Sequence, residues 1–115
     1  MSNFIIPCIV TPLDIQTLKA LNYNKADERN LVIVNLTRNL LYDLFEKDFF
    51  ERINYILDTN IDDFEDEEVT DIRKLIILRN FLRDWIKENP EEIYKQLFNL
   101  VSIAIEKETG VFFFF

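Results

Sequence analysis

Most of the chain repeats apolar residues every three or four positions, which is the spacing of amphipathic helices, and polar residues mark the helix ends. The first helix is predicted to begin with Thr11, Pro12, Leu13 and Asp14. These residues offer an N-cap hydroxyl, a proline at the first helical position and an acid at the third. The helix is expected to run to about Asn22.

A second helix is predicted from near residues 24–27 to Lys47. On a helical wheel its apolar side carries Ile33, Val34, Leu36, Leu40, Leu41, Leu44 and Phe45. Residues 31–34 alone could form a strand, but the helical period continues for three more turns and favours a helix. Asp48 and Glu51 have capping-box spacing, which predicts a third helix through Leu57, with one continuous helix over 27–57 as the alternative.

The fourth helix is predicted to begin in an acidic run near Asp66 and to end at Lys87. It is apolar nearly all round, as expected of the central helix of a bundle. Asn89 and Pro90 favour the start of a fifth helix, and Gly110 is expected to end it in the left-handed conformation.

The two ends of the sequence lack a helical period. Residues 3–10 are β-branched and apolar around Pro7, which predicts an extended segment or edge strand. The sequence ends on four phenylalanines, residues 112–115. At least two of them are expected to be buried against the bundle, the N-terminal segment or another copy of the chain, and docking within the chain is favoured. The predicted fold is therefore mostly α: a single-domain bundle of four to five helices over residues 1–115 with short extended segments at the N- and C-termini.

Composition narrows the function classes. One glycine among 115 residues disfavours a sandwich or barrel, and one cysteine cannot form an internal disulfide. No leader or apolar run of about 20 residues is seen, so a cytoplasmic location is expected. The frequent Ile, Asn, Lys and Phe fit a bacterial or phage origin. Without histidine, and with Cys8 in an apolar segment, no catalytic residues are predicted and no cofactor is expected.

The negative charge is concentrated in one place. Residues 58–71, called here the acidic segment, hold eight acids and no base, whereas the residues before them have a net charge of −1 and those after them +1. The net charge of −8 therefore equals the charge of this segment, whose eight acids are interleaved with Ile61, Phe64 and Val69: Asp58, Asp62, Asp63, Glu65, Asp66, Glu67, Glu68 and Asp71.

Two interpretations of the acidic segment stay open. Acids near a helix N-terminus are stabilised by the helix dipole, and a charge run is usually a solvated loop. Eight like charges repel one another more than a helix start requires, so a surface that binds a basic partner is the functional interpretation. Phe64 would then be an interface anchor, or else it would fix the loop to the core.

A metal site and a nucleic-acid site are both disfavoured. Asp58, Asn60 and Asp62 match the first three ligand positions of an EF-hand loop, but Asp63 and Val69 stand where that loop needs glycine and glutamate. Nucleic acid would be repelled by the net charge. The basic stripe of Arg79, Arg83 and Lys87 is expected to pair with Asp84, Glu88 or the acidic segment instead.

The function predicted from these features is that of a small acidic inhibitor. In composition the chain is similar to toxin immunity proteins, antitoxins, phage anti-defence proteins and nucleic-acid mimics. The expected partner is a basic protein such as a nuclease toxin or a host defence enzyme, bound through Asp58, Asp62, Asp63, Phe64, Glu65, Asp66, Glu67, Glu68 and Asp71. Direct contact with nucleic acid or membrane is not expected, and the chain would be a monomer or a small homo-oligomer. The alternative is a structural or assembly subunit that self-associates through its apolar termini.

Overall fold

The computed structural model describes residues 5–23 and 25–115, and it combines five α-helices with a four-stranded antiparallel sheet. The elements in chain order are β1 (Cys8–Pro12), α1 (Ile15–Leu21), a 3-10 turn (Glu28–Asn30), β2 (Leu31–Asn35), α2 (Arg38–Glu46), α3 (Phe49–Leu57), β3 (Asp66–Val69), α4 (Ile72–Glu88), α5 (Glu92–Lys107) and β4 (Val111–Phe114). The strand order is β2-β1-β4-β3. The fold is α+β, so the predicted helical bundle with extended termini is wrong.

The first cause of this error is β2. Its β-branched residues pair with β1 from Cys8↔Asn35 to Pro12↔Leu31, so they form a strand and not the first turns of a long helix. The helical period that follows belongs to α2, which has its own N-cap: the Thr37 hydroxyl accepts a hydrogen bond from the Leu40 amide at 3.0 Å. Asn24, near the predicted start of that helix, lies outside the described residues, as do residues 3 and 4 of the extended segment.

The second cause is β3, which occupies the stretch predicted to begin the fourth helix. Asp66–Val69 pairs with β4, and α4 begins only at Ile72, where Asp71 caps it by accepting the Arg73 amide. Acidic residues are poor strand formers, so the pairing with β4 and not local propensity selects the extended conformation here.

Several helix ends are confirmed, although their caps differ from the prediction. The chain breaks at Lys47 and Asp48, and α3 ends at Leu57, as predicted. Asp48 is left-handed and its side chain makes no cap hydrogen bond, so the predicted capping box does not form. In α1 the N-cap is Asp14, because Thr11 and Pro12 belong to β1.

Gly110 is required for a different reason from the one predicted. The left-handed residue at the end of α5 is Glu108, with φ of 55°, and Gly110 does not have a positive φ. A Cβ at position 110 would lie 2.8 Å from both the Thr70 Cγ2 and the Val69 carbonyl oxygen. Glycine therefore allows the chain entering β4 to pass close to the end of β3.

The two faces of the sheet pack against different helices. Side chains alternate along each strand, so Ile9, Val111 and Phe113 enter the large core formed with α2 to α5. Their neighbours on the opposite face, including Val10 and Phe112, form a smaller cluster with Leu21 of α1. The whole core thus depends on β1 and β4, which are the two central strands.

The phenylalanine tail docks within its own chain. Phe112, Phe113 and Phe115 are buried, and β4 pairs with β1 through Cys8↔Phe114 and Val10↔Phe112. The expectations that at least two of these rings are buried and that the tail docks within the chain are confirmed. Within the described ranges, none of the helices has the length and apolar character needed to cross a membrane.

Candidate functional site

The acidic segment forms a loop, an edge strand and a helix cap along one side of the sheet. It begins at Asp58, the left-handed C-cap of α3 with φ of 54°, and it ends at Asp71, the N-cap of α4. Between them the chain crosses a loop and becomes β3, which pairs only with β4 in the part of the chain described. Asp71 is the one acid of the segment that lies at a helix N-terminus, so the helix dipole does not account for the acids on β3.

Asn54 of α3 holds the start of the loop in place. Its side-chain oxygen accepts hydrogen bonds from the Ile61 amide at 2.7 Å and from the Thr59 hydroxyl at 2.9 Å. Its side-chain amide donates to the Ile61 carbonyl at 2.9 Å. This role of Asn54 was not predicted from the sequence, although an asparagine one turn before the end of a helix is a local signal for such a contact. Ile61 is buried, so the loop is anchored both by these bonds and by packing.

Arg38, the first residue of α2, is the basic side chain that pairs with the acidic segment. Its Nη1 donates to Asp63 Oδ1 at 2.6 Å, and its Nη2 donates to the backbone oxygen of Phe115 at 3.1 Å. The guanidinium carbon also lies 4.8 Å from the centre of the Phe64 ring. One arginine therefore connects the loop, the end of β4 and an aromatic side chain.

Phe64 is displayed at the surface. Its side chain is 75% exposed, and its backbone has a positive φ of 62°, which is unusual for a residue with a bulky side chain. The Phe64 amide donates to Asp63 Oδ1 at 2.9 Å, which helps to hold this conformation. The ring does not fix the loop to the core, so one of the two roles considered for it is excluded.

Glu67 is a structural carboxylate. Its Oε2 accepts a hydrogen bond from the Asn60 amide at 2.7 Å, and its Oε1 accepts one from the Glu68 amide at 3.0 Å. These two bonds tie the loop to β3 and occupy a backbone donor of the edge strand. Glu67 was predicted as a partner-binding residue, but in the structure both oxygens of its carboxylate accept hydrogen bonds from amides of its own chain.

The eight acids consequently divide into two groups. Asp62, Asp63, Glu67 and Asp71 accept hydrogen bonds from nearby amides or from Arg38. The carboxylates of the other four accept no hydrogen bond from any described residue, and all four residues are exposed: Asp58, Glu65, Asp66 and Glu68. These four residues are called here the unengaged acids.

A groove of about 260 Å³ lies beside β3, where the end of α1 meets the smaller face of the sheet. It is lined by Leu21, Asn22, Asp66, Glu67, Glu68, Phe112 and Phe114. The Phe112 and Phe114 rings are stacked, with their centres 6.1 Å apart and their planes 27° apart. The groove therefore combines carboxylates with aromatic surface.

Cys8 lies on the same face of the sheet as Asp66. In the register, Cys8 pairs with Phe114 and Phe114 pairs with Asp66, so the three residues form one row across β1, β4 and β3. Burial, with a smaller contribution from the charge of Asp66, raises the pKa of the Cys8 thiol from 9.0 to about 11. The thiol is therefore neutral near pH 7 and a weak nucleophile.

The structure also locates the residues of the disfavoured sites. Among the described residues, no group of three or more Cys, Asp or Glu side chains is placed to hold a metal ion. In the basic stripe, Lys87 lies 3.6 Å from Asp84, as expected, while Arg83 donates to Asn80 at 3.4 Å. The stripe makes no ion pair with the acidic segment among the described side chains; that contact comes from Arg38.

Comparison of the chain with protein-family models, with curated proteins and with solved structures finds no match.

Proposed function

We propose that this protein is a cytoplasmic inhibitor of bacterial or phage origin that binds a basic, nucleic-acid-handling enzyme through its acidic segment. The carboxylates would occupy the sites at which the enzyme binds the phosphates of its nucleic acid. The inhibitor would therefore act by blocking the binding cleft and not by catalysis. Long-range attraction between the acidic segment and a basic cleft would accelerate association.

The observation that carries this proposal is the set of four unengaged carboxylates on a supported segment. Asn54, Arg38 and Glu67 hold the loop and strand by hydrogen bonds to named atoms. A surface that is already ordered loses less conformational freedom on binding, which favours affinity. The backbone that carries the remaining carboxylates is thus held in place by contacts within the chain.

Phe64 supports the same proposal as an anchor at the rim of the charged surface. Aromatic side chains are frequent among the residues that contribute most to protein interfaces. The ring is exposed and lies over the Arg38 guanidinium, so it is ordered in the free protein. An exposed, ordered ring next to unengaged carboxylates suits a partner with a basic and partly apolar cleft.

Two alternative functions fit these features less well. The first is that the acids of β3 bind no partner and merely prevent aggregation through the exposed edge of the sheet. That role does not require Phe64 at the surface or acids throughout the loop. Assembly through the apolar termini is disfavoured because Val111–Phe114 pairs within the chain and most of its residues are buried there.

The test uses two variants with the same change in charge. The first replaces the unengaged acids, as Asp58→Asn, Glu65→Gln, Asp66→Asn and Glu68→Gln, and the control replaces four exposed acids elsewhere, as Asp43→Asn, Asp84→Asn, Glu46→Gln and Glu88→Gln. Immobilised wild-type protein and the first variant are exposed to lysate from the source cells. A partner retained by the wild type and lost by the variant is then purified and assayed on DNA and RNA.

Stoichiometric inhibition of that partner by the wild type and by the control is expected, with inhibition by the first variant weakened by at least about tenfold. Equal inhibition by both variants, or a retained partner without nucleic-acid activity, would contradict the proposal. Circular dichroism of each variant provides the folding control, since these side chains are exposed and make no contact needed for the fold.

A further inference from the structure

Strands β2 and β3 form the two edges of the sheet, and they differ in how they are protected. Three of the four residues of β3 are acidic, and the Glu68 amide is occupied by the Glu67 carboxylate. Charges of this kind keep a further strand from pairing with an edge. In contrast, β2 has the sequence Leu-Val-Ile-Val-Asn, without a charged residue or a proline. The edge of β2 therefore lacks the protection that the edge of β3 has.

The ladder between β1 and β2 determines which backbone groups of β2 point away from the sheet. The Leu36 amide donates to the Pro7 carbonyl at 3.0 Å. At the other end of the ladder, the Leu13 amide donates to the Asn30 carbonyl at 2.9 Å. Bonded and non-bonded pairs alternate along an antiparallel ladder, so the even-numbered residues of β2 turn their amides and carbonyls toward β1. The odd-numbered residues of β2 turn theirs outward.

Most of these outward backbone groups are unpaired. The Leu31 amide donates to the Glu28 carbonyl of the 3-10 turn. The amides of Ile33 and Asn35, and the carbonyls of all three outward residues, make no hydrogen bond with any described residue. Residues 32–34 are half-buried and Asn35 is exposed, so the edge is accessible. Another strand offers donors and acceptors at the same two-residue spacing, which makes a strand the ligand that fits this edge.

A second copy of β2 matches the edge of the first. Antiparallel pairing about a two-fold axis at Ile33 lets each Ile33 amide donate to the Ile33 carbonyl of the other copy. The Asn35 amide would then donate to the Leu31 carbonyl of the other copy, and the axis repeats this bond. Val32 would face Val34 on the side of the large core, and such β-branched pairs stabilise a sheet.

The distribution of charge allows this arrangement although each copy has a net charge of −8. The strands that meet are uncharged, whereas pairing β3 with its own copy would bring three acids against three acids. Joining two copies through β2 sets the two β3 strands at the outer edges, seven strand spacings apart, which is on the order of 30 Å. That separation exceeds the screening length of about 8 Å at physiological ionic strength.

We infer that β2 is a dimerisation edge, at which two copies of this chain pair antiparallel about Ile33 and join their sheets into one of eight strands. The inference does not depend on the proposed inhibitor function, and both acidic segments stay accessible in the dimer. Five residues from each copy are far fewer than the roughly 20 to 30 of a standard interface, so the dimer is expected to dissociate reversibly on dilution.

The test follows the full chain from about 50 µM to about 1 mM by sedimentation equilibrium and by amide hydrogen exchange measured with NMR. The mass should rise toward that of a dimer. Exchange at Ile33 and Asn35 should slow by at least about twofold over this range. The amides of Val32 and Val34 already bond to β1 and should not change, so they are internal controls.

Two pairs of variants separate strand pairing from other association. Asn35→Pro removes an outward amide that has no partner within the chain, and Asn35→Ala keeps that amide. The proline variant should raise the dimer dissociation constant by at least about tenfold, and the alanine variant by less than about twofold. Ile33→Lys places two like charges at the axis and should be monomeric, whereas Ile33→Thr keeps a neutral β-branched side chain and should still dimerise. Circular dichroism establishes that each variant is folded, and the lysine variant decides if the proline variant is not.

Three results would overturn the inference. The first is a monomer at every concentration. The second is a dimer in which exchange at Ile33 and Asn35 is unchanged, since its interface would lie elsewhere. The third is equal association of a folded edge variant and its control. None of these results bears on the proposed function, which is judged by inhibition of the partner enzyme.

Discussion

Strands β3 and β4 are neighbours in one sheet, yet they have opposite compositions. In their shared register Asp66 faces Phe114, Glu67 faces Phe113 and Glu68 faces Phe112, so acids meet aromatic residues along the pair. β4 lies between β1 and β3, whereas β3 lies at the edge. Position in the sheet therefore separates two tasks: the central strand stabilises the fold, and the edge strand presents charge.

This separation has a practical consequence for mutagenesis. Changes in β4 should lower the free energy of unfolding, because its side chains enter both core clusters. Changes in the unengaged acids of β3 should leave stability within about 0.5 kcal/mol of wild type, because those side chains contact solvent.

Deleting residues 112–115 should have the largest effect. Burial of two phenylalanine rings contributes on the order of 8 to 12 kcal/mol before entropy is subtracted, which is comparable to the net stability of a domain. The truncated chain should lose its cooperative unfolding transition in a denaturant titration. A transition unchanged from that of the full chain, with unchanged mass by light scattering, would show that the tail stabilises nothing.

The same substitution in the two regions should give different results. Phe113 is 2% exposed, and the centre of its ring lies 6.3 Å from the centre of the Phe50 ring. Phe113→Ala should therefore lower the free energy of unfolding by about 3 to 5 kcal/mol. Phe64 is 75% exposed, so Phe64→Ala should cost less than about 1 kcal/mol. Denaturant titrations of both variants measure the difference. Similar losses would mean that Phe64 packs inward and is not an anchor.

Gly110→Ala tests the junction between the two strands. The added methyl group would lie 2.8 Å from the Val69 carbonyl oxygen and from Thr70 Cγ2, and the carbonyl is held in β3. A destabilisation of about 1 to 3 kcal/mol is expected from this crowding. Adding Thr70→Ala should recover only part of the loss, because the contact with the Val69 oxygen remains. Full recovery would assign the whole clash to the threonine side chain and contradict the close approach of the backbones.

The smallest predicted effect is on the titration of Cys8. Its pKa is raised to about 11, so the unfolded chain loses the thiol proton first and stability should fall as the pH rises above 9. Asp66→Asn removes the smaller of the two causes and should lower the pKa of the folded thiol, still above 9.0 because burial remains. The carbon chemical shift of Cys8 Cβ reports this titration. Glu68→Gln is the control, and an equal effect from it would contradict the row formed by Cys8, Phe114 and Asp66.

Sequence patterns predicted the elements whose own residues determine their structure. The burial of the tail followed from its hydrophobicity. The break at Lys47 and Asp48 and the end of α3 at Leu57 were predicted correctly, although the capping box on which that prediction rested does not form. The sheet was missed because β3 has no strand propensity of its own and extends only through its pairing with β4. β2 was missed because four apolar residues in a row fit both a helix and a strand.

The candidate site was predicted as a stretch of sequence and not as a surface. All eight acids were identified, but no local pattern separates Glu67, which binds two amides, from Glu68, whose carboxylate accepts no hydrogen bond from the described residues. Arg38 and Phe112 join the site from distant parts of the chain, by contact with Asp63 and by strand pairing. Such contacts depend on tertiary structure, so a single sequence does not contain a local signal for them.

The most direct test of the central claim is the affinity of the wild-type protein for its purified partner at two salt concentrations. Raising the salt from about 0.1 M shortens the screening length from about 10 Å toward about 3 Å at 1 M, which weakens attraction between exposed charges. If the acidic segment recognises a basic cleft, affinity should fall steeply with added salt, mainly through a slower association rate. Affinity and association rate that do not change with salt would contradict electrostatic recognition by β3 and its loop.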